Sequence, residues 1–74
     1  MKYKFTVSYI HNSFIKAHPA MHENHPDFRA ATANTEYLLE YGADVPMDQA
    51  ERNLRLSLEA DDCHVLSIQG VQVG

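Results

Sequence analysis

The sequence predicts an α+β fold: a small antiparallel sheet of two or three strands, its N- and C-terminal strands paired, with two helices packed on one face. Three observations carry this expectation. Residues 2 to 10 alternate strictly between apolar and polar, residues 47 to 58 repeat an apolar residue at helical spacing, and residues 64 to 73 are rich in β-branched side chains. Strands followed by helices and a returning strand give a sheet covered by helices rather than a parallel α/β layer.

The first segment places Tyr3, Phe5, Val7 and Tyr9 on one side, and Lys2, Lys4, Thr6 and Ser8 on the other. Successive side chains of a strand point to opposite faces, so this is a half-buried strand with a lysine-bearing solvent side. His11, Asn12 and Ser13 read as a turn. Beyond them, Phe14 and Ile15 fit either a short second strand or one helical turn capped by Ser13 and ended by Pro19. Residues 17 to 25 lack any apolar period and read as an irregular loop.

Pro26 suits a first helical position, and Asp27 suits the positive end of a helix dipole. The stripe Phe28, Ala31, Thr35 and Leu38, closed by Gly42, predicts a helix over residues 26 to 41, weakened in its middle by Thr32, Asn34 and Thr35. A second helix is expected over residues 46 to 60, where Met47, Ala50, Leu54 and Leu58 form the buried stripe and Leu56 lies off it. Asp48 with Arg52, and Glu51 with Arg55, stand four apart in the favourable order for helix ion pairs. In the tail, Leu66 and Ile68 share one phase, and Val71 and Val73 the other. Gly70 lies at the change, as at a β-bulge. Tyr3 or Phe5 is expected to meet Leu66 and Ile68 across the ladder, with Leu38, Leu54 and Leu58 above them.

A chain of 74 residues forms one domain, residues 1 to 74, and a unit of that size buries only roughly 60% of the surface its unfolded chain exposes. No internal repeat or linker divides it, and no apolar run approaches the length of a membrane span. The single cysteine, Cys63, excludes an internal disulfide and fits a reducing cytoplasmic setting. Net charge is −4 and unevenly placed. Lys2, Lys4 and Lys16 outweigh Glu23 before residue 26, whereas nine acids outweigh Arg29, Arg52 and Arg55 after it. Such a balance disfavours direct nucleic-acid binding and favours a basic partner.

Two clusters invite chemistry. His18, His22 and His25 fall within eight residues, with His11 and Glu23 nearby, and three imidazoles could hold Zn²⁺. The zinc-protease spacing is absent, because Pro19 follows His18 where a glutamate belongs, and Pro19 and Pro26 bias the histidines before them away from helix. Cys63 beside His64 offers a thiol and an imidazole. Neighbours on a strand point apart, however, and Asp61 and Asp62 oppose a thiolate.

No phosphate-binding glycine loop or nucleophile elbow is present, so the chain is expected to be a non-enzymatic protein-binding module. The expected partner is a larger protein with a basic surface, which the chain would occlude as a regulator or inhibitor. Phage and mobile-element anti-defence proteins such as anti-CRISPR factors are analogous in size and charge alone. The expected contact residues are Glu36, Tyr37, Glu40, Tyr41, Asp48, Glu51 and Glu59. Metal binding through His18, His22 and His25 is the alternative. Unpaired strand edges also allow homodimerisation through the N- or C-terminal strand.

Overall fold

The computed structural model describes residues 1–74. Six elements follow one another: β1 (Lys2–His11), α1 (Asn12–Ala17), α2 (Pro26–Ala31), β2 (Ala33–Glu40), α3 (Met47–Ala60) and β3 (Cys63–Gln72). The three strands form one antiparallel sheet in the order β2-β1-β3, so the terminal strands pair and the N-terminal strand is central. The fold is the expected α+β type, with three helices where two were expected. The molecule is elongated, about 43 × 20 × 13 Å.

The alternation in β1 sets the two sides of the sheet. Tyr3, Phe5 and Val7 are buried against Ala50, Leu54 and Leu58 of α3, and Cys63 completes this core. Tyr9, Tyr37, Leu39, Tyr41, Val45, Val65 and Ile68 border it, half-buried. Helix α3 therefore presents the expected stripe to the central strand, although Met47 lies at the rim and Leu56 points to solvent, 56% exposed. Ile10 and Phe28 are buried apart from this cluster, and Phe28 meets Phe14 edge-on with ring centroids 6.1 Å apart. The segment after β1 is helical: α1 runs from Asn12 to Ala17, with His11 as its N-cap residue.

One expected element is wrong. The helix predicted over residues 26 to 41 is only the short α2, and residues 33 to 40 form β2. The stripe from Phe28 to Leu38 coincides with helical spacing, but the dominant period after Thr32 is two. Ala33, Thr35, Tyr37 and Leu39 are half-buried, while Asn34, Glu36, Leu38 and Glu40 are exposed. Threonine and tyrosine fit a pleated surface better than a helix interior, and pairing along β1 from Lys2↔Glu40 to Tyr9↔Ala33 secures the strand. Leu38 thus covers nothing and is 66% exposed.

The cross-ladder expectation is also corrected: Tyr3 opposes Gln72, Phe5 opposes Gly70, and Val7 opposes Ile68. The irregularity in β3 is not at Gly70. Ser8 pairs with Ser67 and Tyr9 with Val65, leaving Leu66 as the extra residue. Gly70 lies in regular register for a different reason. A Cβ there would stand 2.5 Å from the Phe5 ring, so glycine makes room for the largest fully buried side chain.

The α3–β3 turn carries a backbone special. Asp62 adopts φ 63°, in the left-handed region that costs most residues free energy. Its carbonyl accepts from Asn12 N at 2.9 Å, and its carboxylate accepts from Asn12 Nδ2 at 3.0 Å. This double contact ties the turn to the start of α1.

Candidate functional site

Helix α3 covers only one side of the sheet. On the other side the side chains lie in rows across the strands: Leu38–Lys4–Val71, then Glu36–Thr6–Gln69, then Asn34–Ser8–Ser67. Leu38 and Val71 are 66% and 55% exposed, so they flank the Lys4 stem as an open apolar row. Lys4 Nζ lies 3.6 Å from Glu36 Oε2, and Ser8 Oγ donates to Asn34 Oδ1 at 2.6 Å. An ion pair as exposed as Lys4–Glu36 holds its members loosely and contributes little to stability. Glu40 has no ion-pair partner within the chain.

The outer edge of β2 belongs to this surface. Because β1 is central, β2 offers one row of backbone donors and acceptors to solvent, bordered by Glu36, Leu38 and Glu40 on the open side. On the α3 side the border is Thr35, Tyr37 and Leu39, half-buried. Burial, and then the hydrogen bond and charge of the neighbouring Tyr9 phenol, raise the Tyr37 phenol above its ordinary pKa. Tyr9 Oη in turn lies 3.4 Å from Thr35 Oγ1. Tyr41 packs on Tyr3 with ring centroids 6.2 Å apart, and its carbonyl accepts from the N-terminal amine at 2.8 Å. Both tyrosines thus have structural contacts on the core side.

The seven residues expected to contact a partner divide between two surfaces. Glu36 and Glu40 stand together on the open face, with Tyr37 on the opposite side of the same strand and Tyr41 just past its end. Asp48, Glu51 and Glu59 lie on α3. The expected Asp48–Arg52 and Glu51–Arg55 pairs do not form, since both ion pairs of the chain, Lys4–Glu36 and His25–Asp27, lie elsewhere. Helical spacing over residues 26 to 41 conceals Leu38 and Leu39 as candidates for this surface. The signal that identifies them is the polar and apolar alternation from Ala33 to Glu40.

The histidines have separate local tasks. His22 Nδ1 accepts from Asn24 N, His25 Nδ1 accepts from Asp27 N as the N-cap of α2, and His18 stacks on Phe14 with centroids 4.6 Å apart. Nowhere do three histidine, cysteine, aspartate or glutamate side chains converge as a metal site would require. Cys63 is buried in the core and its thiol faces the Asp61 carbonyl at 3.7 Å, whereas His64 is exposed. A cleft of about 390 Å³ at this end of β3 is bordered by Asn12, Arg55, Glu59, Cys63, His64 and Val65. No helix is long and apolar enough to cross a membrane. No protein-family model matches the chain, and neither a curated protein nor a solved structure matches it.

Proposed function

We propose that the chain is a non-enzymatic protein-binding module that uses the β2 edge and the adjoining open face to occupy a basic surface of a larger protein. The observation that carries this reading is an uncovered edge strand with exposed Leu38 between two exposed carboxylates, Glu36 and Glu40. Strand addition supplies affinity through main-chain hydrogen bonds, and side chains along the edge supply selectivity. A lysine- or arginine-bearing strand would satisfy Glu40, draw Glu36 away from Lys4, and cover Leu38. Occlusion of this kind is how a small regulator or inhibitor acts, and anti-defence proteins of phages remain the analogy of size and charge. The single buried thiol suits a cytoplasmic setting.

The test is affinity capture with the wild-type chain beside two charge-reversed variants. A genuine partner should be held by wild type, released by raised salt, and lost with Glu36→Lys/Glu40→Lys. It should be retained by Asp48→Lys/Glu51→Lys/Glu59→Lys. Loss with the α3 variant and retention with the β2 variant would move the binding surface to the helix and contradict the proposal.

A further inference from the structure

The other sheet edge is chemically unlike β2. From Cys63 to Gly74 the chain contains no Asp, Glu, Lys or Arg, although it carries sixteen such residues before that point. Strand β3 is ten residues long, contains no proline, and forms the second edge of the sheet. Soluble proteins ordinarily protect such an edge with charge, proline or a covering segment, and here the bulge at Leu66 interrupts only one end. From Ser67 to Gln72 the edge is regular.

We infer that β3 is a self-pairing edge, and that its occupant is β3 of a second copy of this chain in antiparallel register about a two-fold axis. Charge selects this occupant. About a two-fold axis an antiparallel strand meets itself in reverse, so the β2 edge would bring Glu36 against Glu40 of the other copy, whereas β3 brings glutamines, serine and valines together. A chain of net charge −4 can approach itself along β3 without like charges on the strand.

Helix α3 keeps its charges away from this seam. Met47, at its start, lies beside Gly70, whereas Arg55 and Glu59 border the cleft beside Cys63 and Val65. A two-fold axis through the middle of the regular edge therefore carries Arg55 and Glu59 of the two copies toward opposite ends of the joined sheet. The product is a six-stranded sheet in the order β2-β1-β3-β3-β1-β2, with both acidic β2 edges facing outward. Such a dimer offers two partner-binding edges at once and gains avidity from any partner that presents two sites.

Sedimentation equilibrium from low to high micromolar concentration tests this directly. Wild type should dimerise. Gln69→Lys, on the open face where no core contact is disturbed, should weaken the dimer by about tenfold or more, and Glu36→Lys on β2 should leave it unchanged. As a geometric check, Gln69→Cys should form a disulfide-linked dimer on mild oxidation while Glu36→Cys does not. A wild-type monomer throughout the range would overturn the inference, as would a dimer sensitive to Glu36→Lys and indifferent to Gln69→Lys.

Discussion

The two edges of the sheet solve the problem of an unpaired strand in opposite ways. Strand β2 carries Glu36 and Glu40 on its open side, whereas β3 carries no Asp, Glu, Lys or Arg at all. The central strand is sealed between them, with Phe5 and Val7 fully buried. The difference teaches that a net charge of −4 describes neither edge. What decides association is whether a strand meets its own charges or another molecule's.

The comparison breaks entirely if the shared spine is lost. Phe5→Ala removes the largest fully buried side chain and should cost about 3–5 kcal/mol, which urea denaturation would read as loss of both edges together. A smaller change separates the edges. Gly70→Ala drives a Cβ into the Phe5 ring and should cost about 1–3 kcal/mol, while Leu38→Ala on β2 should stay within about 0.5 kcal/mol because that side chain is exposed. Equal midpoints for the two variants would show that the Phe5–Gly70 contact does not hold β3 in place. Asp62→Val tests the turn that launches β3. A β-branched residue at φ 63°, without the Asn12 contact, should lose about 1–2 kcal/mol, and Asp62→Gly should lose less.

On the β2 side, pH supplies a finer probe. The Tyr37 phenol is held above its ordinary pKa in the folded chain, chiefly by burial, so folding favours its protonated form. Its contribution is complete below the unfolded value of about 10 and is lost as pH rises through the higher folded value. Urea midpoints measured from neutral to alkaline pH should therefore fall less steeply for Tyr37→Phe than for wild type above about pH 10. Parallel curves would remove Tyr37 as the cause. The smallest effect expected is that of Lys4→Met, which breaks the exposed pair with Glu36 and should change stability by less than about 1 kcal/mol.

Much of this architecture is readable from residue order. Alternation in β1 and the α3 stripe each follow from a single period, the β-branched tail marks β3 by composition, and each element lies where its residues put it. Strand β2 was not readable in the same way. Phe28, Ala31, Thr35 and Leu38 satisfy helical spacing by coincidence, and pairing with the central strand, a contact distant in sequence, overrides it. Gly70 shows a related limit. Its meaning depends on the Phe5 ring across the ladder, and a glycine at a change of phase looks like a bulge until that partner is known. The candidate contact residues were legible as charges but not as a surface. Glu36 and Glu40 share one strand face, while Asp48, Glu51 and Glu59 belong to the helix on the other side of the sheet.

Hydrogen exchange resolved along the chain compares the two edges in one measurement. As concentration is raised, amides within residues 67 to 72 should exchange more slowly while those within residues 33 to 40 remain unchanged. Addition of a captured basic partner should then slow the β2 amides and leave β3 as it was. Protection of β2 by concentration alone, with β3 unaffected, would contradict the assignment of the acidic edge to a partner and the uncharged edge to a second copy.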